Sequence, residues 1–100
     1  MSTFRVLITD YAWPDLTIER DVLKEIGAEI VLPDSTSESD LVRAATGVDA
    51  ILTNWAQTSA KVIAAAPKCR IVSRMGIGLD NIDLDYCTSH GIPVTNVPDY

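Results

Sequence analysis

Five short apolar runs, alternating with stretches of helical spacing, constrain the fold of this chain more than any other feature. "FRVLITD" (4–10) suits a strand, and "LTIERDVLKEIG" (16–27) spaces Ile18, Val22 and Ile26 four apart beside Leu23, one helical face that Gly27 closes. "AEIVLP" (28–33) predicts a second strand, stopped by Pro33. "SESDLVRAATG" (37–47) predicts a helix with Ser37 as N-cap and Asp40 three residues on in a capping-box arrangement. Leu41, Val42 and Ala45 form its apolar face, and Gly47 ends it. "DAILTN" (49–54) is the third strand, and "TSAKVIAAAP" (58–67) a helix capped by Thr58 or Ser59, with Val62, Ile63 and Ala66 inward and Pro67 as stop. "CRIVSR" (69–74) and "IPVTNV" (92–97) supply the fourth and fifth strands around a short helix in "DLDYCTSHG" (83–91), capped by Asp83 and ended by Gly91.

Strands separated by helices predict an α/β domain with a parallel sheet and helices on both faces, because each parallel crossover needs a covering helix. A chain of 100 residues builds one core, and the flavodoxin-like strand order 2-1-3-4-5 suits that size. Ligands of such sheets bind beyond the carboxyl ends of the strands. Here those ends are the turns beginning at Asp10, Asn54, Arg74 and Asn96.

Charge narrows the partners. The net charge is −6, and the eight Lys and Arg form no basic cluster, which argues against nucleic acid and anionic lipid. The longest apolar stretch, "VIAAA", is far short of a membrane span or a signal-peptide core, so a cytoplasmic location is expected. Cys69 and Cys87 have no C-x-x-C spacing and no histidine at ligand distance, so buried thiols are expected rather than a metal site or a disulfide. His90, the one histidine, stands at a helix end before Gly91, where capping suits it better than catalysis.

The stretch "SRMGIGLDN" (73–81) sets Gly76 and Gly78 directly after an apolar strand. The dinucleotide fingerprint G-x-G-x-x-G would need a third glycine at position 81, which is Asn81, and would open the fold instead of following its fourth strand. Two readings of the turn stay open. Backbone N–H groups without a neighbouring Cβ can converge on a small anion such as a carboxylate, with Arg74 adding charge and a bidentate fork. The glycines can equally serve a tight turn that needs positive φ.

The stretch "CRIVSRMGIGLDNIDLDYCTSHGIPVTNVPDY" (69–100) resembles the N-terminal part of the D-2-hydroxyacid dehydrogenase family. That group contains phosphoglycerate dehydrogenase, glyoxylate and hydroxypyruvate reductases, D-lactate dehydrogenase and the C-terminal-binding-protein corepressors. The ordered pair "R-x-G-x-G-x-D-N-I-D" and "H-G-I-P-V-x-N-V-P" carries the resemblance, and "VDAILTNWAQTSAKVIAAAPKCRIV" is similar more loosely.

The resemblance implies a two-domain NAD(P)-dependent oxidoreductase in which a flavodoxin-like substrate domain faces a Rossmann domain. Hydride moves between the cofactor and C2 of a 2-hydroxy or 2-oxo acid. By position, Met75, Gly76 and Ile77 would meet the substrate carboxylate through backbone N–H groups, with Arg74 beside them. Asn54 and Trp55 would line the same cleft, Trp55 equally fitting a cover for the core edge, and Tyr100 would direct its hydroxyl at the carboxylate.

Residues 1–100 are thus expected to be a substrate-binding portion without the NAD-binding Rossmann domain or the family's catalytic arginine, glutamate and histidine. The expectation is inactivity in isolation, no catalytic residue, no bound cofactor or metal, and self-association through surface that the missing parts would cover. A stand-alone, non-catalytic binding module of the same fold is the competing expectation. A phosphoacceptor receiver domain is disfavoured, since Asp10 has no acidic neighbour, the third strand ends in Asn54 and no lysine follows Val97.

Overall fold

The apolar runs become strands because the central ones, Phe4–Ile8 and Ala50–Thr53, bury residues on both faces. A computed structural model describes residues 4–10, 27–54, 56–74 and 81–95. Within them lie β1 (Phe4–Ile8), β2 (Ala28–Val31), β3 (Ala50–Thr53), β4 (Val72–Arg74) and β5 (Val94–Thr95), all parallel and ordered β2-β1-β3-β4-β5. This is the 2-1-3-4-5 order expected of a flavodoxin-like sheet. Three helices, α1 (Glu38–Ala45), α2 (Ala60–Ala64) and α3 (Leu84–Ser89), separate the strands. Among the described residues no helix is long and apolar enough to cross a membrane.

The period of two along each strand divides the core. Leu7, Ile51 and Val72 share one face with Leu41 and Ala45 of α1, Val62 and Ile63 of α2, and Cys87 of α3. Val6, Ile8 and Ala50 form a second cluster, joined by the half-buried Ile30, Leu52 and Ile71. The three described helices therefore serve the first face. The helix predicted over 16–27 lies outside the described residues except for Gly27, which has φ +74° and the left-handed backbone that favours glycine.

The helix ends follow the caps with one departure. Ser37 accepts from the Asp40 N–H at 3.3 Å, but the reciprocal half of the capping box is missing. Asp40 instead accepts from the Ser35 hydroxyl at 2.6 Å and pairs with Arg43, while the Ser37 N–H donates to Ser35 Oγ at 3.2 Å. Aspartate is one methylene shorter than the glutamate of a capping box, and Ser35 occupies the donor it would have to reach. Ser59, not Thr58, caps α2, and its hydroxyl also donates to Glu38 at 2.8 Å, which ties α2 to the start of α1. Asp83 caps α3 by accepting from the Tyr86 N–H at 3.0 Å. His90 is the C-cap of α3, with Nδ1 2.9 Å from the Tyr86 carbonyl oxygen and its ring stacked on Tyr86 at 4.0 Å.

Cys69 and Cys87 are buried free thiols, as their spacing implied. Burial pushes both above the ordinary value of 9.0, with the negative charge of Asp49 adding at Cys69 and the neighbouring Cys69 and Asp83 adding at Cys87. Above that value the unfolded chain releases these protons while the folded chain keeps them, so the linkage favours unfolding as pH rises. The urea midpoint of a Cys69→Ala/Cys87→Ala double variant should therefore fall less between about pH 8 and pH 10 than that of the unaltered chain. An equal fall in both proteins would remove the thiols as the cause.

Candidate functional site at the strand ends

Three strand ends meet where the fold rule places ligands. The register pairs Ile8 with Leu52 and Thr53 with Arg74, so the residues that follow β1 lie beside the end of β3, whose last residue faces the last residue of β4. One ladder hydrogen bond continues past β1, from the Thr9 N–H to the Leu52 carbonyl at 2.9 Å. It sets Thr9 beside Thr53, and their buried hydroxyl oxygens are hydrogen-bonded at 2.9 Å.

Asp10 then reaches across to the chain leaving β3. Its Oδ1 accepts from the backbone N–H of Asn54 at 3.1 Å, from that of Ala56 at 3.2 Å and from the Thr9 hydroxyl at 2.8 Å. The opposite side of the same segment is held by donors. Arg74 Nε donates to the Asn54 carbonyl at 2.6 Å, and Asn81 Nδ2 to the Ala56 carbonyl at 2.9 Å, the Asn54 carbonyl at 3.2 Å and Thr53 Oγ1 at 3.3 Å. Thr53 and Thr58 hydroxyls complete the shell of the Ala56 carbonyl at 3.2 and 3.3 Å.

Asn54 and Arg74, both anticipated from sequence, are thus in direct contact. Trp55, Met75, Gly76, Ile77 and Tyr100 lie outside the described residues, as does Asn96. Thr9, Asp10, Thr53 and Asn81 were not assigned to the site from sequence. The available signal for Asp10 was its place at the end of a strand, and for Asn81 its place at the exit of a glycine turn.

Two buried polar atoms in this cluster, Asn54 Nδ2 and Asn81 Oδ1, have no hydrogen-bond partner among the described residues. Asn54 is 4% exposed, and a buried donor without an acceptor costs about 1–3 kcal/mol. The site therefore offers a neutral donor next to a guanidinium, a combination that recognises carboxylates and carbonyl oxygens.

The sequence profile of the D-isomer specific 2-hydroxyacid dehydrogenase catalytic domain matches residues 6–100. D-3-phosphoglycerate dehydrogenase of Mycobacterium leprae is 44% identical over 71 residues, which is 70% of this chain and 13% of that protein. The NAD+-bound 3-phosphoglycerate dehydrogenase of Entamoeba histolytica superposes with a TM-score of 0.85 at 23% identity, covering 95% of this chain and 33% of that one. D-lactate dehydrogenase from Aquifex aeolicus, complexed with NAD and lactic acid, gives a TM-score of 0.74 at 25% identity over 93% of this chain and 28% of that one. The chain thus spans well under half the length of each of these proteins.

The anionic carboxylate of Asp10 stands at the end of β1 and takes the N–H groups of Asn54 and Ala56, so these donors are engaged within the chain and do not cradle a pyrophosphate. With the profile running from Val6 to Tyr100 on a sheet of the expected order, the chain belongs to the D-isomer specific 2-hydroxyacid dehydrogenase family, within its catalytic domain.

Proposed function

We propose that this chain is the substrate-binding portion of a longer NAD(P)-dependent oxidoreductase that interconverts 2-hydroxy and 2-oxo acids. The observation that carries this reading is the contact of Arg74 with Asn54 at the carboxyl ends of β3 and β4, beside the buried Asn54 Nδ2, which has no partner among the described residues. In this reading Arg74 offers its guanidinium to the substrate carboxylate. Its Nε–H is directed at the Asn54 carbonyl, which fixes the plane of the fork. Asn54 Nδ2 supplies a neutral donor to the same molecule. Backbone N–H groups of Met75, Gly76 and Ile77 meet the carboxylate, and Trp55 and Tyr100 border the cleft.

These residues bind and orient. None of them takes or gives a proton in the reaction, and the dinucleotide is held by sequence outside this chain, so residues 1–100 alone are inactive. Oxidation of NADH with glyoxylate, hydroxypyruvate and pyruvate tests the reading, run on residues 1–100 and on the full-length protein that contains them. Turnover of at least one acid by the full-length protein alone is the expected result. Absence of turnover and of 2-oxo acid binding in both would overturn it in favour of a non-catalytic binding module.

A further inference from the structure

Resting on that substrate-binding reading, we propose that Asp10 and Asn81 are positioning residues: a two-sided clamp on the backbone groups of Asn54 and Ala56 that holds Asn54 and Arg74 at the angle the substrate carboxylate requires.

The clamp consists of complementary halves. Asp10 brings one anionic oxygen to two backbone donors, Asn54 N–H and Ala56 N–H, while Asn81 brings one amide nitrogen to the two backbone acceptors of the same residues. Hydrogen bonds to a charged group are stronger than those between neutral groups, which makes the Asp10 half the stronger.

Arg74 enters through a shared acceptor. The Asn54 carbonyl oxygen receives both Arg74 Nε and Asn81 Nδ2, so a shift of that oxygen moves the guanidinium with it. Asn81 is itself well anchored. Its carbonyl accepts from the Thr58 N–H at 2.7 Å, and the neighbouring Ile82 forms a bridge with Thr58. The orientation of its amide is also determined, because exchanging Nδ2 and Oδ1 would set an acceptor against two carbonyls and a hydroxyl oxygen. Asn81 thereby joins the stretch that follows Gly76 and Gly78 in sequence to the segment leaving β3, the two stretches from which the binding residues come.

Misplacing a binding group by about 1 Å can cost up to about 100-fold in rate. The test uses the full-length protein and steady-state kinetics with whichever 2-oxo acid it reduces. Asn81→Ala and Asp10→Ala should each raise KM for the oxo acid by about tenfold and leave KM for NADH within about twofold. Asp10→Asn keeps an acceptor oxygen in place and should restore most of the loss. If Asn81→Ala fails to fold, Asn81→Asp supplies the same test. Its carboxylate cannot donate when ionised and would draw Arg74 toward itself, so KM should be raised at neutral pH and recover as the pH falls.

A purely structural role would lower the melting temperature and leave KM of the folded enzyme unchanged, which would overturn the clamp. Arg74→Ala serves as the reference. A rise in KM there, with none in the Asp10 and Asn81 variants, sinks the clamp alone. No rise in Arg74→Ala shows that the carboxylate is held elsewhere and sinks the clamp, whereas no turnover and no 2-oxo acid binding by the unaltered protein sinks the substrate-binding reading and the clamp with it.

Discussion

Arg74→Ala in the full-length protein should raise KM for the 2-oxo acid by about 100-fold while KM for NADH stays within about twofold. The size follows from what is removed. A guanidinium meeting a carboxylate makes two parallel charge-assisted hydrogen bonds, each contributing about 1.5–3 kcal/mol, and about 1.4 kcal/mol corresponds to a tenfold change. The lower end of that range for two bonds gives the stated factor. Truncation also takes Nε from the Asn54 carbonyl, which Asn81 would then hold without it. Arg74→Lys should recover part of the charge attraction but not the fork, so its KM should fall between the two. A KM for Arg74→Ala within about twofold of the unaltered protein would show that the substrate carboxylate is held elsewhere.

The fold was legible because its signals are local. Ile51 in the middle of an apolar run, Gly47 and Gly91 after helical stretches, and Ser59 or Asp83 ahead of them each state their role within a few residues. Parallel pairing then follows from the alternation of strand and helix. Ser37 is the N-cap as expected, and the misreading of Asp40 as its capping-box partner has the same local origin. A capping box seen as a spacing of three takes no account of the length of Asp40 or of the competing Ser35 hydroxyl.

The site was legible in half. Asn54 and Arg74 were singled out through a family pattern and through their places at strand ends, and the structure brings them into contact. The residues that hold them were not, because the clamp is a matter of long-range contact. Asp10 lies 44 positions from Asn54, and Asn81 lies 27 from it. Neither Asp10 nor Asn81 carries a spacing that marks it. An isolated aspartate after a strand reads equally well as a solvated turn residue, and an asparagine after a glycine turn reads as turn chemistry. What separates those readings is the register of β1, β3 and β4, which brings Thr9 against Thr53 and so places Asp10 next to the segment it holds.

The same register makes Ile51→Ala the substitution with the largest expected effect on stability. Ile51 is fully buried at the centre of the sheet, paired with Leu7 on β1 and with Val72 on β4, and it belongs to the cluster that contains Leu41, Val62 and Ile63. Its backbone is fixed on both sides by parallel ladders, including the Ile51 N–H to Ile71 carbonyl bond at 3.1 Å. The sheet therefore cannot close over the lost side chain, and removal of a buried isoleucine under those conditions costs about 2–5 kcal/mol. Against a total of about 5–15 kcal/mol for a domain, that loss should lower the melting temperature of the chain by about 10–30 °C. Leu32→Ala is the control, since Leu32 is 42% exposed and its loss should change stability by no more than about 0.5 kcal/mol. The effect should reach the site as well. Thr53 lies two residues beyond Ile51 on the same strand and contributes its hydroxyl to the Asp10–Asn81 network, so slack at Ile51 loosens the clamp from beneath. Hydrogen exchange at the Asn54 and Ala56 amides should accordingly speed up in Ile51→Ala and stay unchanged in Leu32→Ala. Equal exchange in both variants would mean that the strand ends are held independently of the core below them.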